Sequence, residues 1–238
     1  MSLFVQNSDT GIGARFLNTA ECLHLGDQTC SLEDVYFGPD FAWRPDHIER
    51  WRASQNLFYA GKGEVSSDGH FELRAVSSIL LTGSASYNRF LRGEVLESEL
   101  DPWVNEPVGS SPVVYFSSVI CETRSDVPAL YEHLLRQVGS YVKNEHLEVR
   151  QAFTVASTRA GEQHLWKNGF LPIPGLKYLG KYPIMRIDPS SARTEFWRVL
   201  MNAGCNENSD HRTVEARLRL SKVQRYRQLY ALNTLASA

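Results

Sequence analysis

The stretch between Val113 and Asp188 constrains the fold more than any other part of the chain. It opens with VVYFSSVI, an apolar, β-branched and aromatic run of strand length, which predicts a buried strand over residues 113–120. ETRSD follows, where Ser125 or Asp126 is placed to cap a helix and Pro128 suits its first turn. Leu130, Leu134, Leu135, Val138 and Val142 then recur at helical spacing and carry the helix to Lys143. A second strand is predicted over 151–157, and a shorter helix over 160–168 that ends at Gly169, a residue suited to a left-handed cap. Residues 170–173 and 182–187 supply two more short strands. The order is strand, helix, strand, helix, strand, strand.

Upstream, Pro45-Asp46 offers a helix start, with Ile48, Trp51 and Leu57 tracing a partly apolar face. NLFYAGKGEV reads as a strand, Asp68-Gly69 as a hairpin turn, and FELRAVSSILLTGSASY as a long returning strand. Residues 89–112 then form a connector whose prolines and glycines predict an irregular path. Its Glu94, Glu97, Glu99, Asp101 and Glu106 make either a solvated face or a surface for a cationic substrate such as a polyamine or a lysine side chain. Residues 1–34 give weak signals: NSDTGIG marks a turn, and residues 15–25 suit one short helix or strand. GIG has neither the preceding strand nor the third glycine of a phosphate loop.

Past Asp188, DPSSART opens a helix with Phe196, Trp197, Leu200 and Met201 on its apolar side. A last helix from Thr213 to about Leu235 carries Arg212, Arg217, Arg219, Lys222, Arg225 and Arg227 against Glu215 alone. Such a basic amphipathic helix packs on its own domain or meets an acidic partner, RNA or a membrane surface. For the chain as a whole, a net charge of −2 makes nucleic acid an unlikely partner. Cys22, Cys30, Cys121 and Cys205 form no CxxC pair, so free thiols, a reducing cytoplasm and no bound metal are expected. No apolar run approaches the roughly 20 residues of a membrane helix, and MSLFVQNSDTGIG lacks the basic start and apolar core of a signal peptide. Ser/His/Asp order, HExxH and P-loop signatures are missing too.

The strand–helix order, together with AGEQHLWKNGF leading into a final hairpin, resembles the C-terminal half of the GCN5-related N-acetyltransferase (GNAT) fold. The resemblance covers about a third of the chain well. It implies an α/β domain over residues 35–188, with a mixed, mostly antiparallel sheet and flanking helices. A poorly defined segment, 1–34, precedes it and a C-terminal helical appendage, 189–238, follows. It also implies a cleft where the strand ending near Cys121 parts from the strand ending near Thr158, just past Ile120 and Ser157. There acetyl-CoA or another acyl-CoA would lay its pantetheine arm along an unpaired edge, its thioester oxygen polarised by a backbone N–H. Its pyrophosphate would meet the N-terminus of the helix after Asp126. Ile120, Cys121, Thr123, Arg124, Ser125, Asp126 and Val127 are the implied cofactor contacts, with Thr158 where the family usually has an Asn.

The family loop before that helix usually reads Arg/Gln-x-x-Gly-x-Gly/Ala. Here ETRSDVPAL keeps Arg124 and neither glycine, so the coenzyme A pyrophosphate loop is degenerate. The family's general-acid Tyr position is Leu165, flanked by His164 and Trp166. His164, Ser118 on the central strand, Cys121 at the parting point and Glu64 on a preceding strand are the candidate catalytic groups. Glu72 is a second candidate base. The expected activity is acyl transfer from a thioester to a small-molecule or protein amine. Two alternatives remain: an N-acyl synthase fed by an acyl carrier protein, and a non-catalytic GNAT-like module that binds through its cleft or its basic C-terminal helix.

Overall fold

The computed structural model describes residues 15–37, 49–51, 53–65, 70–104, 111–122 and 126–187, together with Leu200. Seven strands make one sheet, in the order β1-β2-β3-β4-β5-β7-β6. They are β1 (Arg15–Leu17), β2 (Leu57–Val65), β3 (Phe71–Thr82), β4 (Val113–Cys121), β5 (Gln151–Val155), β6 (Leu171–Tyr178) and β7 (Tyr182–Ile187). Every neighbouring pair is antiparallel except β4 and β5, which run parallel. A parallel pair needs a crossover, and the helix α4 (Val127–Asn144) supplies it. The remaining helices are α1 (Thr19–His24), α2 (Gly26–Phe37), α3 (Ser84–Leu91) and α5 (Arg159–Lys167).

Both faces of the sheet are covered. On one, Leu130, Leu134, Leu135, Val138 and Val142 of α4 pack with Ala75, Ile79, Val114, Phe116 and Met185. These are the residues whose spacing predicts the helix, and each buried aliphatic side chain stabilises the fold by about 1.5–3 kcal/mol. On the other face, Tyr87 and Phe90 of α3 and Cys22 of α1 meet Tyr59, Val76, Tyr115, Phe153 and Ile184. Phe153 is sealed there, with the rings of Tyr87, Tyr115 and Phe90 4.6, 4.9 and 5.4 Å away.

Several expected boundaries move. The long strand predicted through residue 87 stops at Thr82, because Gly83 turns the backbone into α3 and Tyr87 N–H closes the first helical bond on its carbonyl at 3.0 Å. Tyr87 and Phe90, three residues apart, thereby face the core together, as helical spacing allows and strand spacing does not. β5 ends at Val155, two residues short of the predicted end, and β6 runs on to Tyr178. The sheet starts at Arg15, since β1 pairs with residues 61–63 of β2, so the segment expected to stand apart contributes an edge strand. Residues 15–25 hold both options of the sequence: β1, then α1, closed by an Asn18–Glu21 capping box.

By contacts the chain divides into two compact units, residues 1–203 and 204–238. Leu200, expected in the appendage, is buried in the α4-side core of the first. The helix start at Pro45-Asp46, the Asp68-Gly69 turn and the basic helix after Thr213 lie outside the described residues. No helix among the described residues is long and apolar enough to cross a membrane.

Candidate functional site

β4 is where the sheet opens. Val113, Val114, Tyr115 and Phe116 pair with Gln151, Ala152, Phe153 and Thr154 of β5, and the pairing stops there. β4 nevertheless continues for five more residues, to Cys121, where β3 is its one neighbour among the described strands. The cause lies in the β3–β4 register. Ser78 opposes Ser118 while Ile79 opposes Phe116, leaving Ser117 as an extra residue in β4. Such a bulge bends its strand and sharpens its twist. It also resets the alternation: Val113 and Tyr115 face the α3 side, and so does Ile120, an even number after two odd ones. β5 meanwhile follows β7, where Ala156 N–H donates to the Pro183 carbonyl at 3.0 Å. One strand stays with β3, the other with β7, and they part.

The parting begins at Phe116 and Thr154, earlier than the Ile120 and Ser157 expected from sequence. A bulge is invisible to a count of apolar residues, which explains the difference. From Ser117 to Cys121, every second residue aims its N–H and C=O away from β3, into the gap, where no described strand meets them. A single parallel pair, splayed past a bulge in the middle of an otherwise antiparallel sheet, with the crossover helix starting at its mouth, decides the architecture.

The fold is GNAT-like. No protein-family model and no curated protein matches the chain. Among solved structures it is similar to Arabidopsis thaliana NAA60 in complex with acetyl-CoA, at 12% identity and a TM-score of 0.46, over 75% of this chain and 99% of that one. The GNAT domain of S. lividans PAT is similar at 11% identity and a TM-score of 0.45, over 74% and 90%. The KacTA–DNA complex is similar at 12% and 0.43, over 75% and 95%.

Within this GNAT-like frame the sequence-predicted residues separate. Ile120 and Cys121 lie on the open half of β4, Ile120 buried and Cys121 half-buried and in no disulfide. Ser118 is described through its backbone, opposite Ser78. Its neighbour Ser117 places its hydroxyl against that of Ser78, so the bulge carries a serine pair on the α3 side. Thr123, Arg124 and Ser125 lie outside the described residues.

Asp126 stands at the N-cap of α4, but its side chain caps nothing. Its carboxylate instead pairs with Lys62 Nζ at 2.7 Å, both groups about three-quarters buried. Helical backbone angles at Asp126 (φ −82°, ψ −20°) replace the extended conformation a capping side chain needs. Val127 opens the helix, and Pro128 occupies its first turn as predicted. Thr158 does cap: its Oγ1 accepts from Gly161 N–H at 3.0 Å at the head of α5.

Glu64 does not stand free as a base. Arg74, itself the extra residue of a second bulge opposite Lys62 and Gly63, gathers Glu64, Glu72 and Glu122 at 3.4, 2.7 and 3.5 Å. Three carboxylates, from β2, β3 and the residue that follows β4, thus share one guanidinium. His164 stacks on Tyr131 of α4, ring centroids 5.9 Å apart and planes nearly parallel. Asn168 Nδ2 lies 3.1 Å from its Nε2. Burial, aided by the Lys167 charge, holds the imidazole below its usual range, so it is neutral at pH 7. Burial pushes the Tyr131 phenol up, so that group stays protonated. Leu165, half-buried, packs against the α4-side core.

The acidic connector is engaged internally. Arg92 holds Glu94 at 3.0 Å, Arg89 and Arg50 approach Asp101 at 3.6 and 3.8 Å, and Glu99 accepts from Leu96 N–H at 2.7 Å. Half-exposed ion pairs of this kind are what a solvated face carries. No cluster of metal-ligating side chains occurs among the described residues.

Sequence reasoning missed two residues. Ser117 has a faint signal, since Ser117-Ser118 interrupts the apolar run at the place where its phase slips. Lys62 has none, because nothing in GKGEV announces a partner 64 positions away.

Proposed function

We propose that the protein is an acyltransferase that moves an acetyl or other acyl group from a thioester donor to an amine. One observation carries this reading: the gap between β4 and β5 past Phe116 and Thr154, edged by a length of β4 that no described strand pairs on that side. A pantetheine arm is a chain of amides, and an open strand edge supplies alternating donors and acceptors at matching intervals. The residues at that edge therefore fit the arm of acetyl-CoA, the donor this fold implies. When bound, the thioester supplies an acyl carbon activated toward amines.

The chain's own groups then have defined tasks. Backbone from Ser117 to Cys121 aligns the arm, and one N–H of that segment polarises the carbonyl oxygen as negative charge develops on it. Ile120 and Phe116, both buried, keep the base of the gap dry, which strengthens that hydrogen bond. Proton handling falls to Ser118, Cys121 and His164. Neutral His164 with a lowered pKa takes a proton more readily than it gives one above pH 7, so its task is that of a base toward the amine. Glu64 would have to leave Arg74 to accept a proton, which makes it the weaker choice.

A second reading draws on Leu165. A half-buried aliphatic residue at the position the resemblance gives to a general-acid tyrosine suits a non-catalytic GNAT-like module that binds a partner through the same gap or through the basic C-terminal stretch. Thiol release separates the two. Full-length protein is mixed with acetyl thioesters and a panel of polyamines, lysine peptides and amino acids, and free thiol is followed. The enzyme reading expects release above the spontaneous rate with at least one amine. Saturable thioester binding without release under any amine selects the module.

A further inference from the structure

The two ends of the gap ask for different chemistry. Its inner end offers neutral backbone to a neutral arm. Its mouth, where a nucleotide diphosphate would sit, is the N-terminus of α4, and the described groups there oppose an anion. A phosphate needs free N–H groups and an unspent positive charge. Pro128 removes one N–H from the first turn. The Asp126 carboxylate occupies the cap position, and the described cation beside it, Lys62, is already bound to that carboxylate at 2.7 Å. At the end of β4, Glu122 shares Arg74 with Glu64 and Glu72, so that guanidinium faces three negative charges. Bringing a pyrophosphate to this mouth would set it against carboxylates whose counter-charges are engaged.

We infer that the donor is recognised through its acyl-pantetheine arm alone, with no contribution from the adenosine phosphates, as suits a thioester presented on a carrier protein. This rests on the thioester-gap reading above and narrows it. The Lys62–Asp126 pair is the discriminating element. While it is closed, the nucleotide gains nothing at the mouth of the gap. An Asp126→Asn change removes the like charge and releases Lys62 to meet a phosphate.

Calorimetric titration of the full chain with acetyl-CoA, acetyl-pantetheine and an acetylated carrier protein tests it. Acetyl-CoA and acetyl-pantetheine should bind within about threefold of each other, and the carrier-borne arm at least as tightly as the free one. In Asp126→Asn the preference for acetyl-CoA over acetyl-pantetheine should rise to about tenfold, a thermal melt confirming that the variant is folded. Wild-type protein that binds acetyl-CoA more than about tenfold tighter than acetyl-pantetheine overturns the inference and leaves the acyltransferase reading intact. Failure of a carrier protein to bind where acetyl-pantetheine does overturns the carrier assignment. Binding of none of the three removes the thioester gap itself, and this inference with it.

Discussion

From Val113 to Phe116, β4 is paired on both sides and its side chains are buried; from Ser117 to Cys121 it keeps β3 and loses β5. The second half is less apolar, SSVIC against VVYF, yet its Val119 and Ile120 still pack on the sheet, so hydrophobicity alone does not separate them. A single extra residue does. Before Ser117 the strand is structural, with Tyr115 and Phe116 locked between neighbours. After it the strand has backbone groups to spare. One bulge turns a sheet interior into a binding edge, and changes on either side of it should differ in kind.

The largest effect is expected in the closed half. Phe153→Ala empties a site walled by Tyr87, Phe90 and Tyr115, and should cost about 3–5 kcal/mol in a urea melt. A loss under about 1 kcal/mol would mean that this half is looser than its burial suggests. Deleting Ser117 should come next. It removes the bulge and leaves Phe116 opposite Ile79 and Ser118 opposite Ser78 in an unbroken ladder, with Ile120 still on the α3 side; the strand straightens, so thioester binding should be abolished at a cost of only about 1–2 kcal/mol. Retained binding in that variant would separate the gap from the bulge.

Smaller changes sharpen the contrast at the helix heads that flank the gap. Thr158→Ala strips a working cap from α5 and should cost about 1 kcal/mol. Asp126→Asn removes no cap from α4 and breaks only an ion pair, so about 0–1 kcal/mol is expected, less at high salt. Because Asn caps as well as Asp, a loss well above about 1 kcal/mol would trace to Lys62 left without its partner and not to a cap. The finest test is pH. His164 has a folded-state pKa below its ordinary value of 6.5, so the unfolded chain takes up its proton first. Stability from this group is full above pH 6.5 and is lost as pH falls through the folded value; His164→Gln should flatten that part of a melting-temperature profile.

Much of the fold is legible in the residues. Leu130, Leu134, Leu135, Val138 and Val142 announce α4, and the apolar runs announce β2, β4 and β7, because burial follows from side-chain type and spacing. α3 is not legible in the same way. SASYNRFL carries β-friendly Tyr and Phe, and only the tertiary demand that Tyr87 and Phe90 face one core makes it helical. The gap was legible in place but not in cause: sequence points to the end of β4, while the backbone event at Ser117 sets where it opens. Partnerships between distant charges, Lys62 with Asp126 and Arg74 with Glu64, Glu72 and Glu122, depend on register and had no local signature.

The most direct test follows backbone amides by NMR while acetyl-pantetheine is titrated into the full-length protein. Alternate amides from Ser117 to Cys121 should exchange quickly in the free protein, then shift saturably and gain protection, while those of Val113 to Phe116 stay protected throughout. Slow exchange across the whole of β4 before any ligand is added, or saturable binding that leaves 117–121 unmoved, would contradict the account.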